Sequence, residues 1–366
     1  AELIQNASTN DQSYILGTLN QSQAKSVIDL LKKEEKEEIE ELMGYPDDSA
    51  GAMMATGVFT LYQDTSCGDA LKTLQDQQDA EMVFYLYITD DNDSLVGVAS
   101  LRALATTPSN TLLKDLMVRR VHSVRPETDQ EDVAQIVAQY NYLAVPVVDS
   151  DNRLLGIVTV DDVVDVIREE ATEDFFRMAG AGKDREILLK SSWENAKVRL
   201  PWLFASWVGG VVAASVIGAY EHMLESIVAL TAFIPVIIGM GGNIGTQSST
   251  IIVRGMATGR IEVGSELLVL VKELKVGLIL GVLYGILLGI FANLKFIGTD
   301  PMLGLVVGLS IASSMLIAVT VGSFTPLILR KLEIDPAVAT GPFVTTSIDI
   351  LGVLFYFVIA GILLNI

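Results

Sequence analysis

Cysteine is almost absent from this chain. Cys67 is the only one in 366 residues, so no internal disulfide can form, which fits a reducing compartment for the part that holds it. Histidine is nearly as scarce, with His122 and His222 alone. There is no HExxH, no Walker A loop and no CxxC pair, which removes the commonest metalloenzyme and nucleotide-hydrolase readings. Positive charge is short as well: 25 Lys and Arg face 45 Asp and Glu, for a net charge of −20. From Pro201 onward there are seven basic and nine acidic residues, so −18 falls on residues 1–200. An acidic surface of this density argues against nucleic acid and anionic lipid as partners. It suits a cation, although many acidic soluble domains bind none. The chain opens at Ala1 without Met or a signal peptide, and is expected to be a trimmed form.

What the second half has in excess is apolar length. Five segments, near 201–220, 227–253, 276–294, 302–329 and 337–364, are each long enough to span ~30 Å of hydrocarbon. If they alternate, Lys197, Arg199, Arg254, Arg260, Lys272, Lys275, Arg330 and Lys331 fall on one side and only Lys295 on the other. The basic side is cytoplasmic, and the acidic soluble half lies there. This predicts a multi-pass protein of the cell (plasma or inner) membrane with a cytoplasmic N-terminal half.

The first half carries a repeat. Apolar periodicity at Val27, Ile28, Leu30, Leu31, Ile39, Leu42 and Met43 predicts two or three helices over 1–45. Residues 55–170 then contain two copies of strand, helix, strand, Asp-rich turn, Gly-bearing strand and helix. Asp90 aligns with Asp149, Leu95 with Leu154, Gly97 with Gly156 and Ser100 with Thr159. Residues 171–200 read as a charged helical connection interrupted by an Ala-Gly-Ala-Gly break at 179–182.

Polar residues inside the apolar segments are the candidates for function. Asp349 sits near the middle of the last one, where a charge costs at least ~2.5–3.5 kcal/mol. Thr345 and Thr346 share its face at helical spacing, and Pro342 removes a helix hydrogen bond just upstream. A cation site on a transport path and a packing hydrogen bond to a neighbouring helix are both open on this reading. In the second segment, Asn243, Gln247, Thr250 and Arg254 form one helical stripe among Gly239, Gly241, Gly242 and Gly245, which fits bare backbone carbonyls on a path or a small-residue interface. Ser310, Ser313, Ser314, Thr320, Ser323 and Thr325 of the fourth segment are expected to bond back to their own helix. His222 beside Glu221 and Glu225 reads as a solvated loop in preference to a metal site. His122 takes the place of Phe59 in the repeat, a packing or pocket-wall position.

The repeat resembles a tandem CBS-domain pair, which implies a Ser/Thr-x-x-Asp motif for nucleotide phosphate and ribose. The second copy keeps it as Thr159 and Asp162; the first has Ser100 but Ala103. ATP or another adenine nucleotide as ligand and a purely structural pair both remain open. The whole arrangement resembles the MgtE family of magnesium channels or transporters. The resemblance rests on GGNIGTQSSTIIVRG from Gly241, DPAVATGPFVTTSIDILG from Asp335 and DDVVDVIREEATEDFF from Asp161. It implies a multi-domain fold: a short α-helical N-terminal remnant (1–50), an α/β tandem CBS pair (51–115 and 116–170), a linking or plug helix (171–200) and an all-α membrane domain of five transmembrane helices (201–366). It also implies a homodimer in the lipid bilayer with the ion path at its axis, Asp349 as the pore carboxylate and Asn243 as a polar pore-lining position. A plug helix at about 173–199 would close the pore from the cytoplasm. Asp129, Glu131, Asp162, Asp165, Glu170 and Glu173 resemble the family's cytosolic magnesium sensor, while Asn141 stands where the family pattern would have Asp.

Magnesium takes six oxygen ligands and dehydrates reluctantly, so a path of carboxylates, carbonyls and amides can grip it through its waters. Two facing Asp349 side chains would repel unless a divalent cation lay between them. This chemistry does not separate magnesium from manganese or cobalt; the resemblance implies a Mg2+ channel or transporter gated by cytosolic magnesium, and not an enzyme. The alternatives are a CBS-regulated carrier of another ion or solute such as chloride, against which the central Asp349 speaks, and a membrane hydrolase, for which no nucleophile–base constellation is found.

Overall fold

The computed structural model describes residues 12, 16, 28, 36, 39, 41–76, 85–181, 190–261, 264–339 and 341–365. The helices expected over 1–45 lie mostly outside these residues. Two compact units divide the chain, Ala1–Arg168 and Glu169–Ile366.

In the first unit the repeat folds as two α/β halves. The first has β1 (Thr60–Tyr62), α1 (Cys67–Asp76), β2 (Tyr85–Thr89), β3 (Leu95–Ser100) and α2 (Leu101–Thr106). β1 pairs with β2 in parallel, and β2 with β3 antiparallel. The second half has α3 (Gln130–Tyr140), β4 (Ala144–Val148), β5 (Leu154–Thr159) and α4, which starts at Val160. β4 and β5 are antiparallel, and a parallel bridge from Val124 to Val147 stands where β1 stands in the first half.

The repeat's aligned residues do the same local work in each copy. Asp90 accepts from the backbone N–H of Asn92 and Ser94, and Asp149 from those of Asp151 and Arg153. These Asx turns reverse the chain between strands. The two turns also meet: Asn152 donates its side-chain amide to the Leu95 carbonyl at 2.7 Å, and Leu95 N–H donates to the Asn152 carbonyl at 2.8 Å. At Gly97 a Cβ would run into Met117, and at Gly156 into the Ala55 carbonyl, so each strand glycine admits a crossing segment. Leu86, Ile88, Cys67 and Leu104 fill one core; Val133, Val145, Val147 and Val158 fill the other.

The second unit holds α5 (Ser192–Ala219), α6 (Ile234–Ala257), α7 (Glu266–Lys295), α8 (Leu303–Lys331) and α9 (Pro342–Leu364). With the 3-10 turn Val228–Phe233 leading into α6, these are five helices long and apolar enough to cross a membrane. α7 packs along α8, and α9 packs against α5, α6 and α8. Glycines set the α7–α8 approach: Gly277 lies against Val319, Gly281 against Ala312, Gly285 against Gly308 and Gly289 against Gly304. That is the small-residue contact expected where lipid gives no hydrophobic drive between helices. Phe233, Ile237, Leu303, Val306 and Phe357 lie in the buried core, and the Tyr356 hydroxyl there donates to the Leu230 carbonyl at 2.8 Å.

Three expectations change. The connection over 171–200 is not one helix. α4 runs Val160–Met178 and stops at Gly180, whose φ is +67°. Ala181 N–H bonds the Phe176 carbonyl and Gly180 N–H the Arg177 carbonyl, the double bond of a Schellman end. Residues 182–189, inside the expected plug helix, lie outside the described residues. The first span begins at Ser192, not Pro201, because Ser191 and Glu194 form a capping box; Pro201 lies within the helix. The last span is split, with a 3-10 turn at Pro336–Ala339 and α9 opening on Pro342 at its first turn. Pro342 therefore starts the helix, where its missing N–H costs nothing, and frees no carbonyl within it.

Candidate functional site: a carboxylate beside a polar helix stripe

Asp349 projects from α9, half-buried, toward the bare backbone of α6. An ideal Cβ placed on Gly242 would lie 3.9 Å from its Oδ1. That is ordinary van der Waals contact, so the carboxylate lies directly against α6 at this point. Next to Gly242, Asn243 and Gln247 are exposed, Thr250 is half-buried and Arg254 is exposed. The stripe thus runs along one open face of α6, while Gly241, Ile244, Gly245, Ser248 and Ser249 turn inward. Gly245 packs under Ile348 of α9, and Gly322 of α8 sits on the Gly245 carbonyl, so the glycines fix α6 between two helices. Among the described residues Asp349, Asn243 and Gln247 have no hydrogen-bond partner. The Thr345 and Thr346 hydroxyls, by contrast, bond back to the Pro342 carbonyl at 3.2 and 2.7 Å. Thr346 also packs onto Gly209 of α5. These threonines secure the start of α9.

Within the second unit, the last turns of α4 bind the segment between α8 and α9. Arg177 forms ion pairs with Glu173 one turn earlier and with Asp335 in the segment between α8 and α9. Met178 packs into a cluster with Ile252, Val253, Met256, Leu327 and Ala337. Gly180 lies 3.4 Å from Pro342 by its would-be Cβ. Burial, with the Glu170 charge adding, raises the Asp174 carboxyl above its ordinary range, against the pull of Arg177 and Arg254.

Three family models match: the MgtE divalent cation transporter over residues 234–359, the CBS domain over 50–108 and 113–169, and the MgtE intracellular N domain over 1–48. Magnesium transporter MgtE of Enterococcus faecalis is 39% identical over 337 residues, covering 91% of this chain and 73% of the relative. Its counterpart in Bacillus subtilis is 37% identical over 331 residues, covering 90% and 73%.

The chain belongs to the MgtE family.

The Thermus thermophilus member is 36% identical over 340 residues, covering 92% of this chain and 75% of its own. Two solved structures are similar to the soluble part. The soluble part of a magnesium transporter shows 43% identity and TM-score 0.45, covering 46% of this chain and 67% of that one. The cytosolic domain of the MgtE Mg2+ channel in complex with ATP shows 35% identity and TM-score 0.44, covering 45% and 68%.

The candidate sensor carboxylates of this MgtE chain are spread out. Asp129 caps α3, accepting from the Glu131 N–H at 2.8 Å. Asn141 ends that helix in the left-handed region, φ 53°, where Asn is favoured over Asp and the other side chains. Asp162 accepts from the Thr159 hydroxyl and, at 3.4 Å, from its N–H, a local helix cap. Asp165 pairs with Arg168 at 3.4 Å on the surface. Glu170 is half-buried on α4, and Glu173 is held by Arg177. Among the described residues no three acidic, His or Cys side chains group as a metal site. His222 lies 3.6 Å from Glu225 in full solvent. His122 packs against Tyr140 with ring centroids 4.5 Å apart and tilted, and hydrogen-bonds the Tyr142 hydroxyl at 2.6 Å, a ring-packing role. Sequence reasoning missed Arg177, Asp335 and Glu273. The last is the one charged residue type more than nine-tenths buried among the described residues.

Proposed function

We propose that this MgtE chain conducts magnesium across a cell membrane as a homodimer, with Asp349 and Asn243 on the path. The observation that carries this is the pairing of Asp349 with the open stripe of α6. A carboxylate and two amides with no hydrogen-bond partner, on helices apolar enough to cross a membrane, are costly against lipid. A water-lined path shared by two copies of the stripe relieves that cost. A hydrated magnesium ion between two Asp349 side chains offsets their mutual repulsion. The matching family model is that of a divalent cation transporter, which supports transport over catalysis as the reading.

Gating by cytosolic magnesium is the second part of the reading. Asp129, Glu131, Asp162, Asp165, Glu170 and Glu173 are its candidate ligands, and α4 with its Arg177–Asp335 pair is the link to the pore. Magnesium at Glu173 would have to displace Arg177. A nucleotide at Thr159 and Asp162 is a lesser part, since those two side chains satisfy each other; calorimetry with ATP on wild type and Asp162→Ala tests it. The deciding experiment for conduction is rescue of a magnesium-uptake-deficient bacterium. Wild type should rescue, and Asp349→Asn, which keeps size and removes charge, should lose uptake by at least about tenfold while remaining folded. Wild-type uptake by Asp349→Asn would end this reading.

A further inference from the structure

Glu273 lies on α7, 6% exposed, in a unit whose other described buried residues are apolar, glycine or serine. Its Oε2 accepts from the Ser248 hydroxyl of α6 at 2.8 Å, and Ser248 is itself 2% exposed. An ionisable residue inside a membrane bundle marks function by default. This one contacts an inward-facing residue of α6, not the open stripe.

Its place in the fold shows what it does. Glu273 is one step of four before Gly277, Gly281, Gly285 and Gly289, and so continues the α7 stripe that meets α8. At four rungs glycine lets α7 lie against α8. At the fifth, a long side chain reaches Ser248 of α6. The two helices it joins otherwise touch little, since each packs chiefly on α8. Ser248 directly follows Gln247 of the open stripe, about 100° away round the helix. Its hydrogen bond to Glu273 therefore resists rotation of the half of α6 that carries Gln247 and Thr250.

We infer that Glu273 is a positioning residue: through Ser248 it sets the rotation of α6 and so the aim of the Asn243–Gln247–Thr250 stripe. The Ser248 hydroxyl donates to one carboxyl oxygen of Glu273. The side-chain carbonyl of glutamine accepts the same bond, so Glu273→Gln should keep the contact.

The inference uses the stripe's geometry, and only its second readout rests on the transport reading. The experiment places Gln247→Cys in wild type, Glu273→Gln, Glu273→Leu and Ser248→Ala, in full-length protein in membranes. It measures labelling of the cysteine by a water-soluble thiol reagent. The parent protein, whose only cysteine is the buried Cys67, supplies the background. Glu273→Leu and Ser248→Ala should change the labelling rate by about three- to tenfold, the equivalent of one hydrogen bond, and Glu273→Gln by less than about twofold. The ratio of magnesium to calcium uptake, in chains with Gln247 restored, should fall in the same order; loss of protein alone lowers both ions equally. If Glu273→Leu fails to fold, Ser248→Ala, which removes one oxygen, decides alone. Equal labelling in all backgrounds overturns the inference, as does Glu273→Gln behaving like Glu273→Leu. Altered labelling in a protein whose wild type carries no magnesium would sustain the inference and refute the transport reading.

Discussion

At the residue scale the chain sets its polar groups by what surrounds them. Asp349 and Glu273 are both carboxylates in apolar helices, yet one faces an exposed stripe without a partner and the other is enclosed with a hydroxyl. The first suits a mobile hydrated cation and the second a fixed contact. Cys67 illustrates the same rule in the soluble unit. It is 0% exposed at the start of α1, and burial pushes its thiol up from the ordinary value. The thiolate is the reactive form, so alkylation of native protein should be slower by orders of magnitude than in denaturant. A time course with a thiol reagent, followed by mass, checks this; fast modification of native protein would show that the α1 core opens.

At the element scale the fixed points are the ends of helices and the glycine contacts between them. Gly322 lies on the Gly245 carbonyl, and backbone does not yield as a side chain does. Gly322→Ala should separate α6 from α8 and destabilise the unit by about 1–3 kcal/mol, the usual effect of overpacking. Thermal unfolding in detergent measures it, and an unchanged midpoint would mean that the helices slide apart freely. The end of α4 is held by charge. Removing one partner of a buried pair costs about 3–5 kcal/mol, and less where one side is partly solvated, as Asp335 is at 31% exposure. Arg177→Glu and Asp335→Arg should each loosen α4 from the start of α9. Each should raise the cytosolic magnesium needed to close the path by about tenfold. The double swap should restore most of it. If the double variant is no better than the singles, the pair is not the coupling element.

At the scale of the whole molecule the charge is lopsided, with −18 on residues 1–200. In a homodimer that charge is doubled, and self-repulsion works against any compact arrangement of the soluble parts. Divalent cations binding weakly at several carboxylates favour compact over open forms only by their differential affinity, and several sites together supply a few kcal/mol. Conductance should therefore fall as cytosolic magnesium rises. Inside-out patches with magnesium stepped on the cytosolic face measure the curve. Neutralising Asp165 and Glu170 together should blunt it. The same curve in wild type and in that variant would leave the acidity with no role in gating.

The linear sequence determined the division into an acidic soluble half and five apolar spans, because charge and hydropathy do not depend on packing. It determined the repeat, because an Asx turn at Asp90 and Asp149 is a local structure. It singled out Asp349, since a charge within a long apolar run is anomalous before any fold is known. It did not show where helices end near the membrane surface. Pro201 reads as a boundary but sits inside α5, because the capping box of Ser191 and Glu194 starts that helix earlier. Glu273 was invisible because it lies between Lys272 and Lys275 near the start of a span, where a charged run reads as a solvated edge. Only the packed bundle buries that side chain and brings Ser248 of α6 to it. Likewise nothing in the order of residues pairs Arg177 with Asp335. Periodicity reports one helix face at a time, and contacts between faces distant in sequence are decided by tertiary packing alone.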